Sequence, residues 1–487
     1  MKWEKYKYTV TSLSVNFLML LVFWGGMLRK SFNADTITHM SVNDADILIN
    51  IKAGRYVISF CDFVLLKMGV RTTTNLSVTM LITFILFAIA MTELGRMFSK
   101  WKPDSMWEII GFYGSIHLVF LNVLFAELLM FSEYCVYFGM AYLAAIAAAH
   151  CFVKRRYLLA VLSMGIAVFT YQYSVIFAAV IIVFYVALDG NIRFSWDIVK
   201  REIVGIFFCM FFGGLNLLSV KVLERLEIID EFGKKSGWGD WKIKISDAIQ
   251  HFILLNKNGG GIFVNFWMPL LFILGVSVLI VYSCIKTDHI ASLPFIFVIW
   301  LGSNLLLYVI PFMEETFYFP PRMSFCFFLV QGLMAVIAYV VGIKEVRGLL
   351  TLGCVMYLVV HLLFADFVVT NHFVSNTLDE VYVKMMYQEI LKYEEETGIK
   401  VEKLAIAKDI DAPFNYAEVS FVADQINERT LGTSNTPLVW VMTGRRLERV
   451  DMDEAIYERY FKGKNWDYLD LSQQLSIDGN TAYWCIF

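Results

Sequence analysis

Residues 157–188 read YLLAVLSMGIAVFTYQYSVIFAAVIIVFYVAL, about 32 positions without a charged side chain. A helix crosses a bilayer with about 20 apolar residues, so this run is too long for one straight crossing and short for two. The polar break Tyr171-Gln172-Tyr173 near its middle is where a turn is expected. Two crossings are favoured by what flanks the run. Lys154, Arg155 and Arg156 precede it, and Arg193, Lys200 and Arg201 follow. These clusters share one side of a membrane only if the run folds back on itself.

Nine more crossings are expected outward from this hairpin, eleven in all: roughly 10–28, 75–94, 107–130, 133–153, 157–172, 173–189, 202–220, 262–285, 290–312, 323–342 and 347–368. Each carries enough apolar residues to satisfy its backbone internally as a helix. The first follows a lysine-bearing N-terminal stretch as a signal peptide would, but it lacks a small-residue cleavage site and reads as a retained span. Lys2, Lys5 and Lys7, Arg96, Lys100 and Lys102, and Lys344 and Arg347 then join the clusters above on one side. By the positive-inside rule that side is the cytoplasm, with the N-terminus inside and the C-terminal segment outside.

Composition agrees. The 487 residues are 58% hydrophobic, 16% aromatic and only 17% charged, with a mean hydropathy of +0.61. A polytopic α-helical membrane protein is expected rather than several soluble domains. With 41 Lys+Arg against 44 Asp+Glu there is no basic excess for a nucleic-acid backbone, so DNA and RNA are not expected partners. Of the eight cysteines, all but Cys485 lie within or beside apolar runs, and no Cys/His cluster has zinc spacing.

Three long segments fall on the exterior: 29–74, 221–261 and the stretch from 369, which divides the chain into a membrane domain, 1–368, and a small soluble α/β domain, 369–487. In the last, Leu378 to Glu396 has helical apolar spacing, while Leu404 to Ala407 and Leu438 to Met442 are β-prone. The first segment carries Asp35, Asp44 and Asp46, then Gly54-Arg55-Tyr56, and Tyr56 to Val70 is expected to lie in the interface as a helix interrupted by Asp62 and Lys67. Solvated loop charges would explain the carboxylates without chemistry.

Between the ninth and tenth runs stand Glu314, Glu315, Tyr318, Pro320, Pro321 and Arg322; the prolines stiffen the loop and hold Arg322 at the mouth of the next span. Glu127, near the end of the third run, needs a partner or a wet cavity. Glu133 reads as a surface group. Gln172 brings an amide to the same region. Asn216, Asn304, His117 and His361 read as interhelical hydrogen-bonding groups. Leu223 to Gly261, with its glycines, lysines and tryptophans, suits a mobile lid or an ordinary surface loop.

In this order the motifs resemble the GtrII-like glucosyltransferases of the GT-C class. They are an acidic first exterior loop followed by Gly54-Arg55 and an interfacial helix, Ala126-Glu127 with Phe131, Tyr171-Gln172, Pro321-Arg322 and an exterior tail, spread over most of residues 9–370. The chain departs from the family's adjacent Asp-Asp pair, having Ala34-Asp35 and Asp44-Ala45-Asp46. The resemblance implies a GT-C-like fold and a membrane glycosyltransferase, which moves a hexose from a polyprenyl-phosphate carrier to a cell-surface glycan or lipid-linked acceptor. It implies Asp35, or else Asp44 or Asp46, as general base, and Arg55 and Arg322 as binders of the donor phosphate. Glu127, Gln172, Glu314, Glu315 and Tyr318 are further site candidates. No resident metal is required, although a divalent cation is compatible with the carboxylates. A transporter or flippase, a polymerase of lipid-linked saccharides and a ligand sensor are the competing expectations.

Overall fold

A computed structural model describes residues 2–41, 45–230, 239–263, 267–408, 426, 429–464 and 468–486. The helices are α1 (Lys2–Trp24), α2 (Ala34–Ser41), α3 (Ala45–Lys52), α4 (Tyr56–Lys67), α5 (Leu76–Phe98), α6 (Met106–His117), α7 (Ala126–Met130), α8 (Cys135–Val153), α9 (Tyr157–Thr170) and α10 (Ser174–Asp189). They continue with α11 (Trp196–Arg225), α12 (Trp241–Asn258), α13 (Met268–Lys286), α14 (Leu293–Leu307), α15 (Val309–Met313), α16 (Pro321–Ser324), α17 (Phe327–Val341) and α18 (Lys344–Thr397). Among the described residues eight helices are long and apolar enough to cross a membrane, and α9 and α10 are shorter apolar helices. The chain is a helical, multi-pass membrane protein.

The 157–188 run is a helical hairpin that turns at Tyr171–Tyr173, as its polar break predicts. Its two ends lie together. Asp189, at the end of α10, binds Lys100 at 2.5 Å and Arg201 at 3.0 Å, while Glu93 near the end of α5 pairs with Arg96 at 2.5 Å and approaches His150 of α8 at 4.0 Å. One end of the bundle therefore collects these basic residues. α10 is apolar on every side and is buried from Ser174 to Leu188, which makes it the central helix. α11 is its opposite, with Phe207, Phe211 and Leu218 exposed on a face that suits lipid.

Four expectations change. The 107–130 run is not one helix: α6 stops at His117 and the chain re-forms as α7. Asn122 makes the break possible, because its amide donates to the carbonyls of Leu118 and Val119 and accepts from the Leu124 N–H. The irregular backbone is wholly enclosed by protein, the condition under which it is tolerated at membrane depth. The 223–261 segment is largely helical, not an open lid, over its described part. Lys244 of α12 donates to the Phe312 carbonyl at 3.0 Å, and His251 lies 3.2 Å from the Tyr308 hydroxyl and 3.3 Å from that of Ser324. Positive-φ Gly259, Gly260 and Gly261 end that helix.

The other two changes concern the last quarter of the chain. Leu438 to Met442 is helical, within Asn435–Thr443: Pro437 in the first turn needs no N–H partner, and Gly444 at φ 76° closes the helix in the left-handed region. No break falls at 368, because α18 runs without proline for 54 residues, roughly 80 Å at 1.5 Å per residue. Its buried face continues from His361 through Ala365, His372, Asp379 and Tyr382 to Ile390. The far part packs on a four-stranded sheet of order β2-β1-β4-β3, formed by β1 (Lys403–Lys408), β2 (Glu448–Val450), β3 (Leu475–Asp478) and β4 (Thr481–Ile486). β1 is parallel to β2 and β4, and β3 is antiparallel to β4. Tyr382 and Trp484 stack in the core of this unit, which also takes in Phe32 and Ile37 from the first loop.

Asp379, fully buried on α18, joins the unit to the helix: Arg429 donates to it from Nε at 2.8 Å and Nη2 at 2.6 Å, and the Leu431 N–H at 2.9 Å. Burial pushes its carboxyl up despite the guanidinium. Asp379→Ala strands a buried cation and is expected to cost about 3–5 kcal/mol. Denaturant titration with limited proteolysis should find the C-terminal unit released early, and Asp379→Leu with Arg429→Met should recover most of the loss.

Candidate functional site

Arg55 is aimed by its neighbours. It follows Gly54, which lies at φ 71° with its space filled: a Cβ there would come within 2.8 Å of Asn216 Oδ1 and 2.9 Å of Val220. The Asn216 amide donates to the Gly54 carbonyl at 2.7 Å, and the Gln172 amide donates to the Ala53 carbonyl and to Asn216 Oδ1 at 3.3 Å. The turn of the decisive hairpin thus clamps the turn that carries Arg55. The guanidinium sits 5.8 Å from the ring centres of both Tyr134 and Tyr171, its Nε is buried without a hydrogen bond, and no carboxylate pairs with it among the described residues. Gly54→Ala is expected to lower the unfolding temperature in detergent clearly more than Gly69→Ala, whose φ is 73° but whose Cβ position is open.

Arg322 reaches the same place from the other side, since Tyr171 lies within electrostatic reach of both guanidiniums. Pro320 and Pro321 start α16, so its first backbone N–H groups are unspent. The Arg322 N–H donates to Glu127 Oε2 at 2.6 Å, while Nη1 donates to Oε1 at 2.8 Å and Nη2 to the Tyr318 hydroxyl at 2.6 Å. Glu127 is fully buried, and the break after α6 is what turns it toward Arg322. The guanidinium also lies 5.0 Å from the centre of the Phe131 ring.

Glu133 corrects the sequence expectation most. It is not a surface group but is 2% exposed, in the turn before α8. The Thr36 hydroxyl donates to its Oε2 at 2.5 Å, and its Oε1 is buried without a hydrogen bond among the described residues. Burial pushes its carboxyl up to about 7 and Asp35 adds to the shift, whereas His39 and the Thr36 hydrogen bond oppose it. The His39 ring lies 3.1 Å by Nε2 from the Tyr134 hydroxyl, and both residues line a small cavity with Glu133, Asp62 and Arg71.

Of the expected residues, Arg55, Arg322, Glu127, Gln172 and Tyr318 come together around Tyr171. Asp35 is exposed in the first turn of α2, on the helix that bonds Glu133. Asp44 and the side chain of Asp46 lie outside the described residues. Glu314 is half-buried and Glu315 exposed, the latter with its carbonyl against Gly239. The expected helix is present as α4 and exposes Phe60, Phe63 and Val64, with Met68 exposed just past its end, while Asp62 turns inward to the Tyr137 hydroxyl. Asn216 and His361, which accepts from the Val123 N–H at 3.3 Å, bridge between segments as expected. Asn304 bonds only within its own helix, to the Trp300 carbonyl at 2.8 Å, and His117 Nδ1 has no hydrogen bond among the described residues.

An apolar groove of about 640 Å³ is lined by α12, α13 and α14, with Lys257, Trp267 and Met334 of α17 among its residues. Among the described residues no group of three or more His, Cys, Asp or Glu is placed to hold a metal ion. No protein-family model matches the chain, and neither a curated protein nor a solved structure matches it.

Proposed function

We propose that the chain is a GT-C-type membrane glycosyltransferase with eleven crossings, which moves a hexose from a polyprenyl-phosphate carrier to a cell-surface glycan or lipid-linked acceptor. The N-terminus is cytoplasmic and the C-terminal α/β unit is exterior. One observation carries the proposal: Arg55 offers a half-buried guanidinium that has no anionic partner among the described residues, beside the lipid-suited helix α4. Two guanidiniums against one carboxylate, Glu127, leave a single positive charge, which matches the single negative charge of a polyprenyl phosphosugar. The groove between α13 and α14 suits an isoprenoid chain.

In the reaction an acceptor hydroxyl oxygen bonds to the anomeric carbon as the bond from that carbon to the phosphate oxygen breaks. The electron pair leaves on polyprenyl phosphate, stabilised by Arg55 and Arg322. The hydroxyl proton passes to a carboxylate of the α2 region, Asp35 as the resemblance implies or Glu133 as its burial and unpartnered oxygen favour. A divalent cation sharing the phosphate is compatible with this chemistry. The test is incubation of the purified protein in proteoliposomes with a panel of labelled polyprenyl-phosphate hexoses. Acceptor-dependent consumption of one carrier is expected; carrier that crosses the bilayer unconsumed would replace the transferase with a flippase.

A further inference from the structure

Helix α12 presents an apolar stripe on its outside. Trp241, Ile245, Ile249 and Ile253 follow at every fourth position and are between 40% and 59% exposed. Residues at that spacing share one face of a helix. On the opposite side α12 grips the segment that carries Arg322: Lys244 donates to the Phe312 carbonyl, and His251 stands between the hydroxyls of Tyr308 and Ser324. Leu255, one turn past His251, is fully buried. Ser246, Gln250 and Lys257 are exposed along a third flank. A helix that met only protein and water would turn its apolar stripe inward. Nor is α12 a crossing, since it holds Lys242, Lys244, Asp247 and Lys257 within 18 residues and is not among the helices apolar enough to span.

Two features say what covers the stripe. It runs into surface suited to lipid, because Ile253 lines the apolar groove together with Leu274 of α13 and Phe297 of α14, both exposed on helices apolar enough to span. Both ends also carry an exposed tryptophan with a lysine against its ring: Lys242 Nζ lies 5.9 Å from the centre of Trp241, and Lys257 Nζ lies 5.7 Å from that of Trp267. Tryptophan favours the level of lipid head groups, and a lysine stem crosses apolar surface to bring its ammonium to the phosphates there.

We propose that α12 lies in the plane of the membrane surface, with Trp241, Ile245, Ile249 and Ile253 in the lipid, Ser246 and Gln250 toward water, and Lys242 and Lys257 at the lipid phosphates. The segment with Tyr318 and Arg322 is thereby held at head-group depth, where a lipid-linked phosphate arrives. That use rests on the transferase proposal; the lipid contact does not.

The experiment places p-benzoylphenylalanine, which couples on illumination to the C–H bonds around it, at Ile249, Ile253 or Gln250 of the full-length protein in phosphatidylcholine–phosphatidylglycerol vesicles, with Phe207 of α11 as the reference position. All four positions are exposed, so folding is not at stake. Mass spectrometry should find about tenfold more lipid adduct at Ile249 and Ile253 than at Gln250, approaching the yield at Phe207. Adducts at Ile249 no more abundant than at Gln250 overturn the contact. Coupling of Ile249 to a second protein chain overturns it too and assigns the stripe to a partner. Lipid adducts without carrier consumption keep the contact and reject the transferase. Carrier consumption without these adducts does the reverse.

Discussion

Arg55→Ala is expected to reduce consumption of the preferred polyprenyl-phosphate hexose by about 10²–10³-fold while the protein still inserts and elutes as a single species in detergent. The separation of effects follows from the surroundings of Arg55. Its guanidinium is held by aromatic rings and by the clamped Ala53-Gly54 backbone, and among the described residues no carboxylate depends on it for neutralisation. Removing it strands no buried charge. Arg55→Lys should restore only part of the rate, because an ammonium keeps the charge and loses the planar fork that matches a phosphate. Arg322→Ala should behave differently. It abandons the fully buried Glu127, and thermal unfolding should register the loss before any rate is measured. Retention of full turnover in Arg55→Ala would remove the observation on which the proposed function stands.

Glu133→Gln is expected to lower turnover by about 10²–10⁴-fold, the range for losing a general base. A carboxyl raised to about 7 is a better base at neutral pH than an unshifted one, and turnover in the parent should rise with pH through about 7 as Glu133 deprotonates. The neighbours provide a control. Asp35→Asn removes a negative charge that raises the Glu133 carboxyl and should move this limb to lower pH; His39→Gln removes an opposing group and should move it up. If instead Asp35→Asn abolishes turnover and Glu133→Gln does not, the base is Asp35.

Stability gives a second readout with its own sign. The folded-state carboxyl lies above its ordinary value of 4.5, so the cost of ionising it in the fold is absent below pH 4.5, grows as pH rises and is complete above about 7. Glu133→Gln should therefore match the parent in acid and gain on it in unfolding temperature toward neutral pH.

Much of the scaffold was written locally. The hairpin at Tyr171-Gln172-Tyr173, the separate helix α4 and the stiff Pro320-Pro321 start before Arg322 all follow from run length, charge interruption and proline, which act within one segment. The misses share a different cause. Asn122 breaks the third run by taking up its own neighbouring carbonyls, which no hydropathy sum registers. Leu438 to Met442 has β-branched residues but sits between a first-turn proline and a left-handed glycine, and packing into the core decides for the helix. Glu133 looks like any carboxylate between two apolar runs, because burial is a property of what covers a residue.

By itself, then, the sequence determined that this chain lives in a membrane, where its hairpin turns and which cations stand near one end, since apolar length and Lys/Arg placement act through the solvent and not through contacts. Only the tertiary structure decided that Arg55 has no carboxylate partner among the described residues while Arg322 is spent on Glu127, that Glu133 is a buried acid under α2, and that α18 carries the C-terminal unit onto the first loop. Those outcomes depend on segments up to about 400 positions apart, as Ala34 and Ser434 are, and a pairing at that range is fixed by packing rather than by any local pattern.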